Sequence, residues 1–333
     1  MFDPYLTSEP SDNVFLVPDV ALPPTPVEEH VGDLVAGALR HAAESFLAHD
    51  SGQGTDSRDA EDLHASRVAL RRIRSLLRTF RALFQPEWAS TARADIGWFS
   101  QLLGEVRNLD VLALRITLHT EPGADPLALE SLFSAVALQR SDVTFRLASA
   151  RVFPRYGTVL NHIDQLVSAQ MPVTARAGEE TRAALGPFLR RPWRNVRAAA
   201  RESRRAPTEA NLHALRIRSK ELRYAAELAS RVFGQTAQEL ASAATAVQDR
   251  LGDHRDALAA VAFLTQAAGE RFECAFVAGQ LVVTERLAAA KSLKGLKKDV
   301  ATLKDRWTAF GRSLPTRGPI GPAPQGTEGR PGG

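Results

Sequence analysis

The chain has 333 residues, 44% of them hydrophobic and 24% charged, the usage of a globular protein with a substantial core rather than a disordered or fibrous one. A single cysteine, Cys274, excludes an internal disulfide framework and fits a reducing compartment. No apolar run approaches the roughly 18 residues of a membrane helix, and the opening MFDPYLTSEP has neither the basic nor the apolar region of a secretory signal. The expectation is a soluble, cytoplasmic protein with no membrane partner.

The net charge of +4 conceals a segregation. Residues 1–62 hold two basic and thirteen acidic residues; the rest of the chain holds 40 basic and 25 acidic ones. A body this basic calls for an anionic partner. Only six of the chain's 42 basic residues are lysine, and the planar fork of arginine suits bidentate phosphate binding.

In chain order, residues 1–30 are Pro- and Asp-rich without helical period and read as disordered, the short VFLV run at 14–17 standing alone. From 31 onward nearly everything has apolar residues at three- and four-residue spacing, which predicts helices over about 31–49, 60–84, 88–118, 126–150, 155–168, 179–203, 208–232, 236–268, 270–289 and 291–311. Pro86, Pro122 with Gly123, Pro154, Pro207, Gly234 and Gly269 punctuate them. Residues 313–333 form a Pro/Gly-rich tail, also read as disordered. The fold class is all-α.

The helices repeat. DLHASRVALRRIRSLLRTF begins at Asp62 and NLHALRIRSKELRYAAELA at Asn211, which sets His64 and His213 149 residues apart. A Leu-Gly step follows each: Gly104 lies 40 residues after His64, and Gly252 39 after His213. Two landmarks at nearly equal spacing argue for a duplicated unit of about four helices, over 31–170 and 179–312, with a linker around Met171 to Gly178.

At about 100° per residue, Arg67, Arg71, Arg74 and Arg78 fall within roughly 80° of His64, beside a core stripe of Leu70, Ile73, Leu76, Leu77, Phe80 and Phe84. His213, Arg216, Lys220 and Arg223 repeat the offsets of 3, 7 and 10. Two further basic rows are Arg194, Arg197, Arg201 and Arg204, flanked by Arg190, and Lys291, Lys294 and Lys298. A solvated helix face normally mixes signs, because like charges one turn apart cost about 0.2–0.5 kcal/mol per pair. Between Leu63 and Gln85 there is no acid at all. Either a bound polyanion or acids from other helices must offset that cost, and the anion site is the favoured reading.

His64 and His213 have no Cys or carboxylate at zinc spacing. They read as hydrogen-bond donors to phosphate, with imidazole pKa values lowered by the neighbouring arginines. No Gly-rich phosphate loop, nucleophile elbow or HExxH helix occurs, so no catalytic residue, metal or cofactor is assigned. Asp110, Asp253 and Asp256 are the acids near the Leu-Gly steps, and ion pairing with Arg107 and Arg255 is preferred over metal binding.

HASRVALRRIRSLLRTF at His64, LGEVRNLDV at Leu103, LHALRIRSKELRYAAE at Leu212 and LGDHRDALA at Leu251 together resemble the CHAD domain, over about residues 31–312. The resemblance implies two four-helix bundles related by pseudo-twofold symmetry, with a basic groove or pore between them that binds inorganic polyphosphate. The polyphosphate-binding residues on this reading are His64, Arg67, Arg71, Arg74, Arg78, Arg107, Arg194, Arg197, Arg201, His213, Arg216, Lys220, Arg223, Lys294 and Lys298. One departure is Asn108 after Arg107, where the family usually has Asp. No EXEXK strand of a triphosphate-tunnel domain occurs in residues 1–30, which favours a stand-alone, non-catalytic binder that targets or organises polyphosphate granules. The alternative is a metal-dependent polyphosphate or triphosphate phosphohydrolase. Nucleic acid is disfavoured because no aromatic residue interleaves with the arginines of the first stripe. Self-association is left open.

Overall fold

The structure is a computed structural model that describes residues 29–50 and 57–315, without side chains for 57–60. The expected disorder of the N-terminal segment, the VFLV run and the tail beyond Pro315 lie outside the described residues. The rest is helical: α1 (Val31–His49), α2 (Ser57–Thr79), α3 (Pro86–His119), α4 (Pro126–Arg151), α5 (Pro154–Val167), α6 (Thr181–Arg205), α7 (Glu209–Phe233), α8 (Gln235–Glu270), α9 (Ala275–Leu293) and α10 (Leu296–Ser313). The described residues contain two isolated bridges and no longer strand.

Local chemistry sets the helix ends. Pro86, Pro126 and Pro154 occupy first turns, where proline's missing N–H has no intrahelical partner to lose. Asp125 and Thr208 accept from backbone amides as N-caps. One boundary departs from expectation. Gly295, at φ 95°, ends α9 and starts α10, so Lys291, Lys294 and Lys298 do not form a row on one helix. Lys291 closes α9, Lys294 caps it and Lys298 lies on α10.

The helices of the two halves pack in parallel order. In the first half α2 packs on α1 and α3, α3 on α4, and α5 on α1 and α3; in the second α7 packs on α6 and α8, α8 on α9, and α10 on α6 and α8. Each half therefore uses five helices, not four. The core is also continuous across the halves: one apolar cluster takes in residues from α1 to α8 and α10. A smaller cluster gathers the far ends of α3 and α8 with α4 and α9. The linker is pinned too, since Gln85 N donates to Pro172 O at 2.9 Å and Thr174 N to Leu83 O at 2.9 Å.

Leu70, Ile73, Leu76, Leu77, Phe80 and Phe84 are buried as the α2 stripe predicts, each contributing about 1.5–3 kcal/mol relative to exposure. That apolar stripe fixes the roll of α2. The cationic stripe beside it is thereby aimed along the seam where α2 meets α7.

Candidate anion-binding seam

The α2 and α7 stripes face each other. Arg71 Nε donates to Tyr224 Oη at 3.1 Å, and the charges acting on each cation come from both helices. Burial first, then Arg71, Arg216, Arg67 and Arg74, hold Lys220 well below the usual lysine range. Burial and Arg71, Arg216 and Arg255, opposed by Asp256, lower Arg67 to about 10. Burial, then Arg107, Arg71 and Arg67, bring His64 down to about 4. His213 is lowered by burial, Arg255, Arg216 and Lys220. Burial lowers Arg74 as well, with Arg78 adding to it. Among the described residues, Arg67, Arg71, Arg74, Arg216 and Lys220 form no ion pair within 4 Å.

The Leu-Gly steps acquire a physical role here. A Cβ on Gly104 would stand 3.3 Å from Arg67 Nε, and one on Gly252 would stand 3.6 Å from Arg216 Nε. Each glycine gives its arginine a shallow seat against the neighbouring long helix. Gly97 does the same for Arg74, at 3.1 Å from Nε. The spacing revealed the two Leu-Gly steps but not what they hold. Gly97, one helical repeat of seven residues earlier, carried no motif signal.

Ion pairs border the stripes. Arg72 Nη2 lies 3.2 Å from Glu227 Oε2, and Arg78 pairs with Glu221. Arg223 is buried and donates to Glu227 Oε1 at 2.7 Å. Arg78 and Arg223, read from the sequence as anion ligands, are thus engaged by carboxylates, whereas His64, Arg67, Arg71, Arg74, His213, Arg216 and Lys220 share the seam. Arg107 acts on His64 from α3. Arg255 of α8 belongs to the same cluster and was read from the sequence only as a partner for an acid.

The other rows stand apart. Arg194, Arg197 and Arg201 are exposed on α6, and Arg201 Nε lies 3.7 Å from Glu202. Lys294 and Lys298 are exposed around the α9–α10 turn. None of these five is among the leading charges on His64, Arg67, His213, Arg216 or Lys220. The acids also fall differently from expectation. Asp110 pairs with Arg140 at 2.9 Å rather than with Arg107. Asp256 acts on Arg67 and Arg216, and burial raises Asp249 and Asp253. Among the described residues no three His, Cys, Asp or Glu side chains gather closely enough to hold a metal ion, and no helix is long and apolar enough to cross a membrane.

The chain matches the family model of the CHAD domain over residues 37–265. Two curated proteins of Mycobacterium tuberculosis, the uncharacterized proteins MT2285 (strain CDC 1551 / Oshkosh) and Rv2226 (strain ATCC 25618 / H37Rv), are each 28% identical to it over 247 residues. The match covers 71% of this chain and 46% of each relative, so the chain spans about half their length. Among solved structures, PptA from Streptomyces chartreusis superposes with a TM-score of 0.65 at 23% identity, covering 84% of this chain and 99% of that one. The CHAD domain from the plant Ricinus communis gives 0.64 at 22% identity, covering 86% and 97%.

Proposed function

The chain belongs to the CHAD domain family, and we propose that its α2–α7 seam binds inorganic polyphosphate without catalysing a reaction on it. One observation carries the reading: Lys220 sits among Arg67, Arg71, Arg74 and Arg216, and no acid is among its leading charges. Asp256 and Asp249 reach Arg216 but neither is among the leading charges on Lys220, so an external polyanion is the group that relieves it. From His64 to Arg74 the α2 row runs ten residues, roughly 15 Å at 1.5 Å per residue, enough to follow several phosphates of a flexible chain. Forked donors from both helices supply bidentate contacts, and the seam offers charge rather than stacking platforms, which favours a polymer without bases. Arg107 and Arg255 extend the same surface. The exposed α6 row and Lys294 and Lys298 then serve at most as outer contacts. In the cell such a module would target or organise cytoplasmic polyphosphate.

Titration with polyphosphate, with a DNA oligomer as competitor, tests the reading. Polyphosphate should bind more tightly than DNA, and affinity should fall steeply with salt, by analogy with counterion release at nucleic acids. Arg71→Ala and Lys220→Ala should each weaken binding about tenfold, the effect of losing ~1.4 kcal/mol of contact, with helicity unchanged. Equal or tighter DNA binding, or full affinity in both variants, overturns it. Orthophosphate release on adding magnesium or manganese would replace it with the phosphohydrolase reading.

A further inference from the structure

The outer face of α6 is a cationic surface that the seam does not use. Arg190, Arg194, Arg197, Arg201, Arg204 and Arg205 are all exposed, and at about 100° per residue they fall within an arc of roughly 100°. The row spans 15 residues, roughly 22 Å. Like charges one turn apart oppose a helix, yet Glu202 is the one acid in the α6 sequence. Among the described residues the row makes a single ion pair, Arg201 Nε with Glu202 at 3.7 Å.

The chain itself carries an anion to this helix. Val31 N donates to Glu179 O at 3.0 Å and Thr181 N to Glu29 O at 2.9 Å, and His30 and Glu180 form an antiparallel bridge. Glu29 is thereby pinned to the first residue of α6. Residues 1–28, which precede it, hold five acids, Asp3, Glu9, Asp12, Asp19 and Glu28, and no basic residue. Asp12 is 17 residues before Glu29, a reach of up to roughly 56 Å at 3.3 Å per extended residue, whereas Arg205 lies roughly 36 Å along the helix from Thr181. Length, point of attachment and charge therefore match. A tether this short also sets an effective concentration near the millimolar range, which a dilute free partner does not reach.

We propose that residues 1–28 dock along the arginine face of α6 and act as its intrachain counter-charge, with carboxylates against Arg194, Arg197 and Arg201. Docked there, the segment covers the outer row and leaves the α2–α7 seam as the open cationic surface, so that a polyanion meets the seam first. The contact stands independently of what the seam binds.

The test is phenylglyoxal labelling of the full chain, read at each arginine by peptide mass spectrometry. The wild type is compared with a variant carrying Asp3→Asn, Glu9→Gln, Asp12→Asn, Asp19→Asn and Glu28→Gln. At low ionic strength Arg194, Arg197 and Arg201 should label about threefold faster in the variant, as when the segment covers the row about two-thirds of the time. Arg286, exposed on α9, is the internal reference and should label equally in both. Relative to Arg286, wild-type labelling of the row should rise by the same factor at about 1 M salt, where the screening length shortens to about 3 Å; this series needs no substitution and decides the matter even if the variant misfolds. Equal labelling of the row in wild type and folded variant, or no response to salt, overturns the proposal and leaves the face to a separate anionic partner. Protection that fades on dilution overturns the intrachain contact and assigns the segment to a second copy.

Discussion

Lowering the pH should tighten polyphosphate binding through His64, by an amount that can be worked from the site. In the free protein, burial and three arginines hold this imidazole near 4 instead of its ordinary 6.5, so it is neutral at pH 7. A phosphate chain laid along α2 supplies the negative charge that the arginines lack and raises His64 again. Binding then takes up a proton, and linkage requires affinity to rise as pH falls. If binding returns the imidazole to its ordinary 6.5, binding at pH 5.5 is about tenfold tighter than at pH 7.5, and the gain saturates near 300-fold below pH 4. The unliganded fold shows the opposite trend. A base whose folded value lies below its unfolded value contributes stability that is present above 6.5 and is lost as pH falls through 4. The assay is titration with long-chain polyphosphate, whose internal phosphates stay ionised, at several pH values for the wild type and His64→Gln. Wild-type affinity should climb about tenfold more than that of the variant between pH 7.5 and 5.5. Parallel profiles would refute the placement of His64 against the bound anion.

Three further outcomes follow from packing. Gly104→Val should cost about tenfold in polyphosphate affinity with the fold intact, measured by calorimetry, because its Cβ alone comes within 3.3 Å of Arg67 Nε; full affinity would mean that Arg67 needs no seat. Glu285→Ala should destabilise by about 3–5 kcal/mol in denaturant titration, because it strands the buried Arg115, which it holds at 2.9 Å from Nε, and frees His119. Arg67→Met should raise the melting temperature of the unliganded protein by a few degrees and shrink the shift that polyphosphate induces, since relieving a buried cation among Arg71 and Arg216 is worth about 1 kcal/mol.

Most of the helical framework was legible because helix formation is local. Periodicity gave all ten helices, and proline and glycine gave most ends, since those residues act through their own backbone. What escaped was set by long-range packing. Nothing in the local pattern of KSLKGLKKD distinguishes a glycine that passes through a helix from Gly295, whose positive φ places its backbone against Arg250. The cationic stripes were legible as stripes because residues three and four apart share a face. Which members stay free depended on the opposite helix. Arg78 is engaged by Glu221 from 143 residues away, and helix geometry on α2 alone cannot report that.

The repeat resolves why one end of the seam is paired and the other is not. With the offset of 149 residues, Arg72 corresponds to Glu221 and Arg78 to Glu227. The structure pairs Arg72 with Glu227 and Arg78 with Glu221, so the two bridges are one another's counterparts under exchange of the halves, with charge reversed. Had both copies kept arginine at these positions, the same geometry would set cation against cation, at a cost of roughly 1 kcal/mol or more per contact in a partly dry seam. Acids in one copy turn that end into an adhesive joint between halves. At the other end the copies agree: His64 with His213, Arg67 with Arg216, Arg71 with Lys220. Like faces like there, no acid is among the leading charges on Lys220, and the joint at the paired end holds the repulsive end together. Reversing one bridge separates the two tasks. Arg78→Glu should lower stability by setting two acids together, and adding Glu221→Arg should restore part of it, since Arg218 also loses its carboxylate partner, while polyphosphate affinity stays within about twofold of wild type in the double variant. A double variant that folds but has lost the ligand would place Arg78 in the anion site itself.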